Sequence, residues 1–302
     1  MRLPDFFIAG HQKSGTTALY EMLRTHPQVF MPERKEPSYF VPEIVKHPLS
    51  LAQYAALFEP ARADQRAGEA TPTYLWSHTA AQRIHEQCPD AKIIAILREP
   101  AEFLRSLHLQ FLRIDIETEK DFAKALALDD ERSRGKRIPR NSPRPEFFPY
   151  AEHVRYVEQL ERYHSLFSGE QILVLIYEDY REDNAATLAQ IARFLEIEEI
   201  TLETVESNQS SSIRSPRLRA LTRSLYLGRG PAGALKPAIK ALTSPAARRR
   251  LLALQTRAQR EQISPPDEQV MDDLRRRLSG DVARLGEYLG RDLSARWGYP
   301  RP

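Results

Sequence analysis

The chain has 302 residues, with 44 Lys and Arg against 41 Asp and Glu, a formal net charge of +3 that favours anionic ligands locally without requiring nucleic acid. A single cysteine, Cys88, excludes an internal disulfide and a cysteine metal cage, and no 18-residue apolar run is present to span a membrane. With 28% charged residues and no secretory-leader layout before the first apolar run, the expectation is a soluble, cytoplasmic protein long enough for one large α/β domain.

The first element is the most informative. Phe6 to Leu23 reads F-F-I-A-G-H-Q-K-S-G-T-T-A-L-Y-E-M-L, an apolar strand, a glycine-bounded loop and a helix starting near Thr16. Gly10 and Gly15 permit a turn tight enough to aim successive N–H groups inward, and the helix start adds unpaired amides and the positive end of its dipole. Thr16 and Thr17 bring hydroxyl donors and Lys13 a mobile charge, so a phosphate or sulfate belongs there. The two glycines keep the separation of G-x-x-x-x-G-K-[ST], yet Thr16 follows Gly15 and the lysine sits inside the loop. Lys13 therefore leans over the terminal group of a nucleotide, and no Asp-ended strand offers the magnesium apparatus of phosphoryl transfer.

Further along, short strands are expected near 29–31 and 66–69. Glu36 stands in the charged run Glu33-Arg34-Lys35-Glu36 and reads locally as a solvated charge, while Glu69 at a strand end reads as an ion-pair partner or a base. Lys92 to Leu97 is a buried parallel strand with Arg98 at its carboxyl end, where ligands of open α/β sheets collect. Pro100 opens the next helix, and Ser106 lies about two turns into it. Residues 132–149 form a long loop rich in Arg, Pro and Ser. An amphipathic helix covers Tyr150 to Phe167, a strand follows at 172–177, and Asp183-Asn184 starts another helix. After about residue 205 the chain is expected to be wholly helical, with a helix start at Ser264-Pro265-Pro266-Asp267. The Arg248–Arg250 and Arg275–Arg277 triplets read as solvated helix faces, and the eight histidines show no metal-ligand spacing.

The loop segment P-D-F-F-I-A-G-H-Q-K-S-G-T-T-A-L-Y resembles the 5′-phosphosulfate loop of PAPS-dependent sulfotransferases, notably bacterial relatives of the carbohydrate and heparan-sulfate branch. A-K-I-I-A-I-L-R-E-P-A-E-F-L-R-S resembles that family's 3′-phosphate segment, which implies Arg98 and Ser106 as its ligands. K-E-P-S-Y-F at 35–40, G-E-A-T-P-T-Y-L at 68–75, I-L-V-L-I-Y-E-D-Y at 172–180 and L-G-E-Y-L-G-R-D-L-S-A-R-W at 285–297 resemble further family elements.

The resemblance implies a P-loop-type parallel sheet with helices on both faces and a helical C-terminal extension. It forms one domain, with a PAPS-binding core over 1–205 and a helical part over 206–302. It implies transfer of a sulfuryl group from PAPS, without a metal, to a hydroxyl or an amine of a carbohydrate, glycolipid or natural-product acceptor. Lys13 would stabilise the leaving group and Glu36 act as base, with Glu69 second in line; Lys13, Ser14, Gly15, Thr16, Thr17, Arg98, Ser106 and Arg214 would hold the nucleotide. Four departures stand out. Ala70 replaces a lysine that reaches the acceptor, Glu99 replaces an asparagine, Phe103 replaces an arginine, and the basic closing loop has only Ser210 to Pro216 as a counterpart. The alternatives are a P-loop kinase with a displaced lysine and a non-catalytic nucleotide-binding protein.

Overall fold

The structure, a computed structural model, describes residues 1–114, 116–140, 142, 144–200, 212–213, 260–261 and 268–301. The chain divides into two compact units, one of residues 1–103, 152–208 and 275–302, the other of 104–151 and 209–274.

The first unit is built on a parallel sheet of β1 (Phe6–Gly10), β2 (Val29–Phe30), β3 (Arg66–Ala70), β4 (Lys92–Leu97) and β5 (Ile172–Ile176), in the order β2-β3-β1-β4-β5. Phe7 lies opposite Glu69 on one side and Ile93 on the other, so β1 is central and both neighbours run parallel to it. The connection from β1 leaves towards β2, and the one from β3 crosses to β4 on the far side. The winding therefore reverses beside β1, the position at which open α/β sheets gather ligands beyond the carboxyl ends of their strands.

Side chains alternate across the sheet, as the two-residue period requires. Phe6, Ile8, Ile94, Ile96 and Leu175 pack with α1 (Thr16–Arg24), α8 (Tyr177–Glu182) and α9 (Asn184–Leu195). Phe7 faces the other way, against Phe40 and Tyr74 at ring centroid distances of 5.6 and 6.3 Å. Along the chain the remaining helices before α8 are α2 (Leu51–Ala55), α3 (Ala80–Gln87) and α7 (Tyr156–His164) in the first unit, α4 (Pro100–Arg113), which starts there and runs into the second, and α5 (Phe122–Ala127) and α6 (Asp129–Ser133) in the second. The expected parallel sheet flanked by helices is present, and α9 starts at the anticipated cap, where the Asp183 carboxylate accepts from Ala186 N–H at 2.8 Å.

Two expectations change. The helix foreseen over Tyr150 to Phe167 is a 3₁₀ stretch, Tyr150–Val154, followed by α7, with a break at Arg155 (φ −73°, ψ 61°). The Gln159 side-chain amide donates to the carbonyls of Glu152 and His153 at 3.0 and 3.3 Å, satisfying groups that a continuous helix would have bonded internally. The chain after 205 is also not wholly helical, because β6 (Ser212–Ile213) and β7 (Arg260–Glu261) pair antiparallel. The start signal at Ser264 lies outside the described residues; α10 runs Glu268–Leu289 and α11 Leu293–Trp297.

In the second unit, Glu117 and Arg132 form a fully buried bidentate pair at 2.8 and 3.0 Å. Tyr150 donates to the same carboxylate at 3.1 Å, and the guanidinium lies 5.1 Å from the Phe148 ring. Removing either charge would strand its partner, which typically costs about 3–5 kcal/mol.

The site depends on close approach of β3 to β1. At Gly68 an added Cβ would lie 2.1 Å from Phe6 Cζ and 2.6 Å from Met31 Sδ. Gly68→Ala should therefore destabilise the protein by about 1–3 kcal/mol, read as a lower urea midpoint; an unchanged midpoint would contradict this packing.

Candidate nucleotide-binding site

Three segments leave the carboxyl ends of adjacent strands: residues 11–15 after β1, 71–77 after β3, and Arg98-Glu99 after β4. In the first, Lys13 (φ 59°) and Gly15 (φ 84°) are both left-handed, which curls the loop back on itself, with Ser14 N–H on the His11 carbonyl at 3.4 Å. Gly15 has a second constraint, since a Cβ there would meet the Tyr177 ring at 3.0 Å. Ser14 is buried with its hydroxyl on the Gln12 carbonyl at 3.3 Å; Thr16 is buried and Thr17 exposed at the mouth of α1. The helix begins at Thr16, as its sequence indicated.

The Arg98 Nη1–H donates to the Lys13 carbonyl at 3.0 Å, so the loop and the β4 arginine stand at one place. Its guanidinium lies 5.1 Å from the Tyr177 ring, pairs with Glu102 at 3.6 Å, and keeps a buried Nε with no partner. With a side chain 18% exposed, this arginine retains donor capacity in a sheltered setting suited to an anion. Ser106 is buried on α4, in the stretch that belongs to the second unit. Arg214 lies outside the described residues.

Glu36 and Glu69 occupy contrasting environments. Glu69 is wholly buried and accepts from Thr71 (2.5 Å), Tyr54 (2.6 Å) and Tyr74 (3.0 Å). Burial pushes its carboxyl up to about 7, against the opposing pull of the three hydroxyls. Two of those hydroxyls in turn accept from the Glu36 loop, Thr71 from Ser38 N–H and Tyr74 from Phe40 N–H, both at 3.3 Å. The Glu36 N–H itself donates to the Ala70 carbonyl at 3.1 Å. Glu36 and Ser38 are left-handed at φ 56°, a conformation this framework holds. The Glu36 side chain is 53% exposed, with Lys35 Nζ at 2.8 Å. Glu69 thus anchors the loop that presents Glu36, and the strand-end ion pair weighed for it in sequence is replaced by hydroxyls.

Sequence reading assigned nothing to His11, Tyr156 or Gln159. His11 is buried beneath the loop, and its ring nitrogen Nε2 lies 2.6 Å from Gln159 Oε1. Because the Gln159 amide nitrogen is engaged by two carbonyls, the imidazole carries its proton on Nε2 and stays neutral, burial lowering its pKa to about 3. Tyr156 donates to the Arg98 carbonyl at 3.0 Å. Tyr156 and Gln159 are buried polar residues on α7, a helix whose sequence announces only its apolar stripe. Among the described residues no group of three His, Cys, Asp or Glu side chains stands together to hold a metal ion.

The fold and site define an α/β protein with a glycine-bounded loop at the switch point of a parallel sheet. The family model described as "Sulfotransferase domain" matches residues 3–224, and the chain belongs to that family. A solved sulfotransferase from Alicyclobacillus acidocaldarius is 25% identical, with a TM-score of 0.66 over 99% of this chain and all of that one. The human protein "Heparan sulfate glucosamine 3-O-sulfotransferase 6" is 37% identical over 99 residues, 33% of this chain and 28% of that protein. Mouse "Carbohydrate sulfotransferase 15" is 26% identical over 275 residues, 74% of this chain and 49% of that protein. The matches therefore span at most about half of these curated relatives. Among the described residues no helix is long and apolar enough to cross a membrane.

The Glu69 environment carries a pH dependence. Its carboxyl titrates near 4.5 when unfolded and about 7 when folded, so its contribution is full below pH 4.5 and is lost as pH rises to 7. Between pH 5 and 8, urea unfolding should show wild type losing about 2–3 kcal/mol relative to Glu69→Gln. A pH-independent difference would mean the carboxylate ionises in the fold at no cost.

Proposed function

We propose that this chain is a sulfotransferase that moves the sulfuryl group of PAPS to a hydroxyl of a carbohydrate, glycolipid or natural-product acceptor. The observation carrying this is the bond from Arg98 to the Lys13 carbonyl, which joins the two halves of a bisphosphate site. The residues fit such a nucleotide: a curled loop with left-handed Lys13 and Gly15 for the 5′ end, and a sheltered arginine with an unpartnered Nε for the 3′-phosphate. When bound, PAPS supplies an electrophilic sulfuryl group on a 5′-phosphate leaving group.

Ser14, Gly15, Thr16 and Thr17 would bind the 5′ end through loop and helix-start donors. Lys13 places an ammonium against negative charge growing on the bridging oxygen, the electrostatic part of the catalysis. Ser106 and Arg214 join the nucleotide ligands by resemblance alone. Glu36 takes the acceptor proton, since its carboxylate is more than half exposed while that of Glu69 is sealed behind three hydroxyls. No metal enters the proposed scheme, and all of these residues serve one functional domain. A single buried thiol at Cys88 accords with a reducing cytoplasm.

Calorimetry tests the nucleotide. Adenosine 3′,5′-bisphosphate should bind without magnesium, at least about tenfold tighter than ATP, and Arg98→Ala should erase that preference. Equal binding of ATP would favour a kinase. For the base, Glu36→Gln should cut turnover by about 10²–10⁴-fold while leaving bisphosphate affinity intact. Full activity in that variant would transfer the role to another group.

A further inference from the structure

The Arg98 guanidinium lies over the Tyr177 ring beside the loop, and the residue following each is a glutamate. Both glutamates are held by the C-terminal tail. Tyr299 donates its hydroxyl hydrogen to Glu99 Oε1 and accepts from Ala101 N–H at 3.2 Å. Trp297 Nε1–H donates to Glu178 Oε2 at 2.9 Å. The two glutamates are themselves joined, Glu99 N–H donating to Glu178 Oε1 at 3.3 Å.

The consequence falls on one peptide plane. The N–H of Glu99 and the C=O of Arg98 belong to the same unit; Glu178 holds the first and Tyr156 the second, at 3.0 Å. A planar peptide gripped at both ends fixes the direction in which the Arg98 side chain departs. The Glu99 carboxylate also accepts from Ala101 and Glu102 N–H at 3.1 and 2.6 Å, capping α4 where it leaves the strand. The tail reaches this point through Gly298, left-handed at φ 69°, which ends α11 and turns Tyr299 back, its N–H on the Ser294 carbonyl at 2.9 Å. Beyond the pair, Asp179 accepts from Arg291 at 2.7 Å and from Arg296 at 3.2 Å, so the tail is stitched along the start of α8.

We infer that Tyr299 and Trp297 are positioning residues for recognition of a nucleoside 3′-phosphate: the tail clamps the Glu99–Glu178 pair and thereby aims the Arg98 guanidinium. This rests on the bisphosphate reading above. The clamp bonds none of the loop's donors itself and reaches the loop only through the Arg98 contact with the Lys13 carbonyl, so its larger effect falls on the 3′-phosphate.

The test compares full-length proteins by calorimetry with two probes, adenosine 3′,5′-bisphosphate and adenosine 5′-monophosphate, which lacks the 3′-phosphate. Tyr299→Phe should weaken the bisphosphate about tenfold and leave the monophosphate within about twofold. Arg284→Ala breaks the ion pairs of α10 with Glu158 and Glu161, at 2.7 and 3.6 Å, and should change neither. Where Tyr299→Phe fails to fold, Trp297→Phe, which keeps a ring and removes only the indole N–H, gives the same comparison from the Glu178 side. Equal weakening of both probes, or of neither, overturns the inference by reducing the tail to general support. A wild-type protein that binds both probes alike defeats the bisphosphate reading first, and the tail inference with it.

Discussion

A loop that turns its N–H groups towards an anion must send carbonyls elsewhere, and a carbonyl facing the same hollow would repel the ligand. The Lys13 carbonyl meets this constraint by accepting from Arg98, a residue 85 positions away on the neighbouring strand. One guanidinium thereby satisfies that carbonyl and sets a positive charge beside the loop. The rest of the region is arranged around that contact. Tyr177 supports the guanidinium and closes the space behind Gly15, Tyr156 fixes the arginine's own carbonyl, and His11 fills the floor as a neutral, hydrogen-bonded ring. A charged imidazole there would have to be accommodated without water, which burial forbids.

Much of this was legible in the sequence because it is written in local terms. The strand–loop–helix at Phe6–Arg24 combines an apolar run, two glycines and a helix start, and each signal is independent of the others. The same holds for β4 and Arg98, where an isoleucine-rich run is stopped by Arg-Glu-Pro. What escaped was the long-range polar wiring. Gln159 sits 148 residues from His11 and Tyr299 sits 200 from Glu99, and neither side chain interrupts the apolar period of its helix or turn. The break at Arg155 escaped for a similar reason: the apolar stripe continues across it, and only the Gln159 amide reveals that the backbone does not. Arg214 and the Ser264 helix start lie outside the described residues, so their expected places stay expectations.

Two buried carboxylates organise the segments beside the loop. Glu69 and Glu99 each stand at or just beyond the carboxyl end of a strand beside β1, and each is almost fully buried. Glu69 collects three hydroxyls and through them suspends the left-handed Glu36–Ser38 turn; Glu99 caps α4 and receives Tyr299. In each case a buried acid organises a neighbouring segment that carries an exposed or half-sheltered charge, Glu36 in one and Arg98 in the other. Such an inner layer of fully hydrogen-bonded groups is what holds reactive side chains to a narrow geometry.

The same geometry explains why the departure at Ala70 cannot be read simply as one missing contact. Register places Ala70 opposite Ile8, on the face of the sheet that packs against α1 and α9, whereas Glu69 opposite Phe7 points to the other face. Ala70 is 1% exposed, and its carbonyl holds the Glu36 N–H. A lysine installed there would begin inside an apolar cluster and would have to thread outward or lose its charge, at a cost that small surrounding shifts cannot offset. The strand end therefore serves as a backbone anchor for the Glu36 turn, and any charge complementary to an anionic acceptor has to come from another segment. Of the neighbouring basic residues, Lys35 is already paired with Glu36, which ties its charge to the carboxylate. Beside that pair the ring of Tyr39 stacks on the buried ring of Tyr54 at 4.2 Å, so the Glu36 turn is backed by aromatic surface rather than by a further charge.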